Sequence, residues 1–156
     1  MILKKAFFSF LALGIGFSTL GCAAEEVLTP SSNYVQVGRL LFKTELVNAN
    51  SNPNIFYVNL SIENEGTERI LLSTSSCPLW MNLKLGNELV WDQAWGNYCP
   101  AAMVYLYIEP GEIISLSSSP ASFDKIESGS YDLYVYLKSY GGINVDIWVD
   151  KVQVVN

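Results

Sequence analysis

Apolar and polar residues alternate along most of this chain with a period of two, as they do in strands with one buried face. The clearest run is 56–63, where Phe56, Val58, Leu60 and Ile62 alternate with Tyr57, Asn59, Ser61 and Glu63. The alternation recurs at 131–138, with Tyr131, Leu133, Val135 and Leu137 on one face, and at 143–155, with Val145, Ile147 and Val149 together. Shorter strands are predicted within 34–47, with Gly38 as a bulge position, and at 69–74, 102–108 and 112–117. Turn residues separate them: the polar stretches 48–54 and 64–67, Pro110-Gly111 as a type II turn, and Gly141-Gly142. Segment 118–128 reads as a loop whose Phe123 and Ile126 plug the core. No stretch sustains a helical period and no internal repeat is present. The pattern predicts one all-β domain, an antiparallel Ig-like β-sandwich of about eight or nine strands, with Tyr131 placed for a tyrosine corner.

The organising stretch is 77–99, two strands joined by a Gly86-Asn87 turn with a cysteine outside each end. Leu79, Met81, Leu83 and Leu85 share one face of the first strand, and Leu89 and Trp91 are expected to share a face of the second. A two-residue loop would pair Leu85 with Glu88. A three-residue loop would pair Leu85 with Leu89 and Leu83 with Trp91, which keeps the apolar faces together and is therefore the expected register. It brings Cys77 close enough to Cys99 for a disulfide across the hairpin mouth, worth roughly 3 kcal/mol by chain entropy. The alternative is two buried free thiols.

The N-terminus changes the compartment. Lys4-Lys5 precede an apolar run over 6–20 and then Gly21-Cys22, the layout of a secretory signal and too short for a comfortable membrane span. Thr-Leu-Gly-Cys at 19–22 resembles the bacterial lipobox, although Thr19 and Leu20 depart from its preferences; ordinary cleavage after Ala23 or Ala24 is the alternative. The resemblance implies that Cys22 becomes the first mature residue and carries the lipid anchor. Cysteine parity agrees: three cysteines are odd for an exported chain, and assigning Cys22 to lipid leaves Cys77 and Cys99 as a pair. The chain thus divides into a signal peptide (1–21), a flexible tether (22–33) and a sandwich domain (34–156). Removing the two signal lysines takes the net charge from −6 to −8, which argues against nucleic acid as a partner and leaves the lipid on Cys22 as the membrane attachment. The expected location is the bacterial cell envelope, on the outer-membrane or periplasmic face in a Gram-negative cell.

Catalytic chemistry is sparse. There is no histidine, which excludes Ser-His-Asp and Cys-His catalysis. No phosphate-binding glycine loop occurs, and neither a cofactor nor a metal is expected. Ser75-Ser76 has no base nearby in sequence, Asp92 has no partner carboxylate at a useful spacing, and Asn144, Asp146 and Asp150 read as solvated strand residues rather than a calcium set. The aromatics stand out. Trp80, Tyr57, Tyr134 and Tyr136 are expected to face away from the core, either as cross-strand pairs or as a binding surface. Trp95 and Tyr98 sit in the short, nearly uncharged loop tethered by Cys99. The partner-binding residues expected are Trp95, Tyr98 and Trp80.

Several motifs in order resemble the BsuPI-type intracellular proteinase inhibitor domain: Val58-Asn59-Leu60-Ser61-Ile62 followed by Asn64 and Gly66, then Leu89-Val90-Trp91, Pro110-Gly111-Glu112 and Gly129-Ser130-Tyr131. The resemblance implies an Ig-like fold and a protease as the partner. An export signal and the Cys77/Cys99 pair depart from that family. The functional expectation is a lipid-anchored, non-enzymatic envelope binding module, possessing an inhibitor-like domain. The alternative is a structural envelope protein docked onto a larger assembly.

Overall fold

Ten strands form in the computed structural model, which describes residues 33–48, 54–100 and 102–155. They are β1 (Tyr34–Val37), β2 (Leu40–Asn48), β3 (Ile55–Asn64), β4 (Ile70–Leu85), β5 (Glu88–Asp92), β6 (Met103–Ile108), β7 (Ile113–Ser117), β8 (Ala121–Ser122), β9 (Gly129–Ser139) and β10 (Asn144–Val154). One antiparallel sheet runs β1-β2-β3-β7, with β8 also on β3; the other runs β10-β9-β4-β5, with β6 also on β4. The protein is an all-β, Ig-like sandwich. The signal segment, Cys22 and the tether as far as residue 32 lie outside the described residues. Asn33, assigned to the tether, is tied to the domain, because its carbonyl accepts from the Thr44 amide at 2.8 Å.

The alternating apolar residues fill the space between the sheets: Phe42, Leu60, Ile62, Met81, Leu133 and Ile147 are fully buried. Phe123 and Ile126 plug this core from the loop after β8, Phe123 completely and Ile126 in part. The Tyr131 hydroxyl donates to the Glu127 carbonyl at 2.9 Å, forming the tyrosine corner. A side chain at Gly129 would press on that ring, since a Cβ there would lie 3.3 Å from it.

Three details differ from the sequence reading, each because tertiary pairing overrides local pattern. Gly38 makes a tight turn between β1 and β2, with φ of 60°, rather than a bulge within one strand. The strand expected at 69–74 and the first hairpin strand are a single element, β4. Its register against β9 jumps from Thr74↔Ser139 to Leu79↔Leu137, so residues 75–78 bulge opposite Lys138 alone. Proline 78 is tolerated there because a bulge does not need its missing N–H. In the hairpin, Leu85 pairs with Glu88 across a two-residue turn, and Val90 is then an extra residue that restores Leu83↔Trp91. Leu85 and Leu89 therefore lie outside the core, 57% and 41% exposed, and Leu89 pairs with Lys84 rather than sharing the Trp91 face. A similar bulge at Val149 shifts the buried positions of β10 from Val145, Ile147 and Val149 to Val152 and Val154.

Asn64, completely buried at the end of β3, joins the two sheets. Its side-chain amide donates to the Ile108 carbonyl on β6 (2.9 Å) and to the Glu68 carbonyl (2.8 Å), and its Oδ1 accepts from the Gly66 amide (2.9 Å). Its own amide and carbonyl engage Glu112 and Gly111 of the Pro-Gly turn. Asn64→Ala would leave the buried Ile108 carbonyl and the partly buried Glu68 carbonyl without their donor, so a loss of about 2–3 kcal/mol in unfolding free energy is expected in chemical denaturation. Asn64→Asp, which keeps the shape but cannot donate when ionised, should be no better.

Candidate functional site

The sandwich is unequal on its two sides. The short strands β5 and β6 succeed one another along one edge of β4, and β7 and β8 do the same along β3. Thr74 pairs with Val104 of β6 and with Ser139 of β9, so β6 lies on the side of β4 opposite β9. β5 takes over that side beyond the bulge. The chain that follows β5, 93–100, leaves the sheet, and the break is closed covalently: Cys77 in the bulge is disulfide-bonded to Cys99, with Cα atoms 5.9 Å apart. Polar groups of the bulge find local partners. The Ser76 amide donates to the Ala102 carbonyl (3.0 Å), the Ser76 hydroxyl to the Pro100 carbonyl (3.0 Å), and the Ser75 hydroxyl to the Cys77 carbonyl (2.8 Å).

Asp92 and Gln93 shape the stapled loop. The Asp92 carboxylate accepts from the Ala94 amide at 2.8 Å, an Asx turn, and its carbonyl accepts from the Trp95 amide. It also accepts from the Tyr136 hydroxyl at 2.9 Å, so this carboxylate is committed to structure. Gln93, buried although polar, exchanges two hydrogen bonds with Met81 and donates its Nε2 to the Ser119 carbonyl at 2.9 Å. Its carbonyl accepts a short bond from the Asn97 side chain. Gln93 thereby fixes the loop of one sheet to the 119–126 segment of the other. Below it, Trp91 meets Phe123 edge-on at 5.0 Å, and Phe123 stacks on Phe56 at 5.4 Å, an aromatic contact running from sheet to sheet.

Above this floor lies a cleft of about 490 Å³ between the stapled loop and segment 119–126. Trp80, Trp91, Gln93, Asn97, Tyr98 and Cys77 line one wall, and Ser119 to Ser122 with Asp124, Lys125 and Ile126 line the other. Of the residues expected to bind a partner, the fold brings Trp80 and Tyr98 together in this cleft. Trp95 is not in its lining but sits on the same loop, 59% exposed, and Tyr98 is 87% exposed. Trp95 is thus no lid over the core. Sequence reasoning missed Gln93, Asn97 and the opposite wall. The buried Phe123 and Ile126 were a signal that 119–126 returns to the core, but nothing local says what it faces.

The outer face of the β10-β9-β4 sheet carries the other aromatics, mostly paired with each other. Trp80 is opposite Tyr136, and Tyr134 is opposite Trp148. The Trp148 indole donates to Asp132 (3.2 Å), and the Lys84 ammonium lies 3.9 Å above the Tyr134 ring while pairing with Asp146. Asp146 is thus engaged with a lysine, and among the described residues no group of three or more His, Cys, Asp or Glu could hold a metal ion.

Two outcomes follow. Cys77→Ala should lower stability by about 2–5 kcal/mol in denaturant titrations of the oxidised protein, the range for a native bridge in a small exported domain. Burial, and then its hydrogen bond to Asp92, raises the Tyr136 pKa well above the ordinary tyrosine value. The folded state holds that proton more tightly than the unfolded chain, so this contribution is fully present below the normal tyrosine range near pH 10 and is lost as pH rises through it toward the folded pKa. Ultraviolet titration should find Tyr136 ionising after the exposed tyrosines, and Tyr136→Phe should flatten the alkaline decline in stability.

No protein-family model matches this chain, and no curated protein matches it. Solved structures overlap it at low similarity. An ApaA protein from Bordetella pertussis is 15% identical, with 81% of this chain and 97% of that one covered and a TM-score of 0.33. β-Glucosidase 3B from Thermotoga neapolitana is 16% identical with a TM-score of 0.34, and 81% of this chain covers 18% of the enzyme. A β-glucosidase from Kluyveromyces marxianus is 10% identical with a TM-score of 0.32, and 72% of this chain covers 14% of it. The chain therefore spans a small fraction of either glucosidase.

Proposed function

We propose that this protein is a lipid-anchored, non-enzymatic binding module of the bacterial cell envelope that engages a protein partner at the stapled end of its sandwich. The observation that carries this reading is the cleft itself, a concavity held open by a disulfide, a buried glutamine and an aromatic floor, with Tyr98 and Trp95 exposed beside it. A loop ordered before binding loses little entropy on binding, and large exposed aromatics are the usual anchors of protein interfaces. Export is supported by the disulfide, which suits an oxidising compartment. With Cys77 bonded to Cys99, Cys22 is the remaining cysteine of the three, free to carry lipid. The resemblance to the proteinase inhibitor domain makes a protease the first partner class to test.

A second reading, a structural domain docked onto a larger envelope assembly, is favoured by β6. Met103, Val104, Tyr105 and Tyr107 are all exposed on this uncharged edge strand, whose outer side has no partner among the described strands. Such an edge is a template for another strand.

In-cell crosslinking of the anchored protein separates the two. Tyr98→Ala and Trp95→Ala should abolish the crosslinked species without lowering the melting temperature, consistent with loss of anchors worth about 2 kcal/mol or more. Loss instead in Tyr105→Lys, with Tyr98→Ala unaffected, would select the edge-docking reading. Mass spectrometry of the mature N-terminus should find a diacylglyceryl group on Cys22; an unmodified start at Ala24 or Glu25 would remove the anchor.

A further inference from the structure

The free edges of the two sheets are not alike. Edge strands are ordinarily blunted by charge, by bulges or by shortness, because an open row of N–H and C=O groups is a template for another strand. β5 carries Glu88 and Asp92 and the bulge at Val90. β10 carries Asp146, Asp150 and Lys151 and the bulge at Val149. β1 and β8 have four and two residues, and the five-residue β7 has exposed Ser115 and Ser117. β6 has none of these devices. All six of its residues pair with β4 without a register shift, and it lies in a stretch, 93–108, that holds no charged side chain.

The side chains of β6 are also uncovered. Met103, Tyr105 and Tyr107 share the outer face and are exposed, and Leu71 of β4, opposite Tyr107, is exposed beside them. On the inner face Ile108 is buried, but Leu106 is half-buried and Val104 exposed. At the Tyr107 end the charges bind each other: Arg69 pairs with Glu109 at 2.6 Å and lies over the Tyr107 ring. A contiguous apolar patch of this kind on a soluble domain marks an interaction site.

The strand that covers this edge must lack charge and offer apolar side chains to both faces. β6 itself meets that description. Laid antiparallel on its own copy about Tyr105, it sets Tyr105 against Tyr105, Met103 against Tyr107 and Val104 against Leu106. Each pair joins apolar or aromatic residues of one face, the cross-strand contacts that stabilise sheets. The relation is its own inverse, as a two-fold interface requires. Charge points the same way. The protein is acidic, so two copies repel wherever carboxylates meet. In this register Glu109 of each copy runs past Met103 of the other into the uncharged stretch before it. Self-pairing of β5 would instead set Glu88 of one copy against Asp92 of the other.

We propose that β6 is a dimerisation strand: two copies of this chain join edge to edge, and their β10-β9-β4-β6 sheets become one continuous antiparallel sheet. This is independent of the binding-module reading, and it gives the edge a different occupant from the larger assembly of the second reading.

The test is sedimentation equilibrium of the purified full chain, disulfide intact, in density-matched detergent, where a monomer–dimer equilibrium is expected. Tyr105→Lys sets two ammonium groups together at the two-fold axis and should weaken association about tenfold or more. Its melting temperature should not change, because Tyr105 is exposed. Tyr105→Glu should weaken association likewise, and an equimolar mixture of the two variants should recover dimers, since Lys then faces Glu. Leu89→Lys, which adds the same charge at the β5 edge, should leave the dimer intact. A monomer at the highest soluble concentration overturns the proposal, as does a dimer indifferent to Tyr105→Lys or a mixture that stays monomeric. A monomeric chain whose in-cell crosslink to another protein is lost in Tyr105→Lys also overturns it and gives the edge to that protein. Tyr98→Ala should leave self-association unchanged, so this proposal and the binding-module reading fail separately.

Discussion

β4 must keep one partner, β9, along one side while serving two successive partners, β6 and β5, along the other. A regular strand could do so only if the chain between β5 and β6 stayed in the sheet plane. Here the strand gives way at 75–78, where four residues face one of β9. The break lets the 93–100 segment swing out, and the disulfide at Cys77 fixes where it goes. Bulges are common at sheet edges and beside binding sites for this reason: they re-aim side chains without ending the strand. Around the break sit the Cys77–Cys99 bond, Trp80 and the cleft wall, so the site and the irregularity of β4 have one origin.

Buried polar side chains then do what apolar packing cannot. Asn64 and Gln93 each bind backbone groups at places where the ladder has ended, Asn64 between β3 and β6 and Gln93 between the hairpin and the β8 segment. An apolar residue of equal size would fill the same volume but leave carbonyls and amides unpaired in a low-dielectric interior. Their positions, near opposite ends of the side where the short strands gather, hold the two sheets in one relation. Between them the Trp91–Phe123–Phe56 contact supplies burial. The result is a concave surface whose walls come from different sheets yet are mutually fixed, the condition for binding without a large ordering cost.

The aromatic residues divide by what surrounds them rather than by type. On the outer face of β9, Tyr134 and Tyr136 sit among cross-strand neighbours, with a lysine above one ring and a carboxylate on the other's hydroxyl. They stiffen the sheet. On the stapled loop Trp95 and Tyr98 have little around them, because a loop turned out of the sheet has no cross-strand neighbour. Trp80 belongs to both groups, paired with Tyr136 in register and facing the cleft beside the bulge.

Much of this was legible in the sequence alone. A side-chain period of two follows from the pleat itself, so β3, β9 and most of β10 were readable with their buried faces, and turn residues such as Pro110-Gly111 carry their conformation locally, as the φ of 75° at Gly111 shows. The Cys77–Cys99 bond was legible because both cysteines flank one local hairpin. Where two strands compete for register, local pattern no longer decides. Leu85 was expected inside because it continues the alternation of Leu79, Met81 and Leu83, but it lies exposed at the turn, paired with Glu88, and a bulge at Val90 corrects the pairing further down. The joining of 69–74 and 78–85 into one strand depended on β9 running past both, which no local signal contains. The cleft depended on tertiary structure still more: Lys125 and Trp80 are far apart in sequence, and only the packing of two sheets, driven by burial of Phe123 against Trp91, sets them on facing walls.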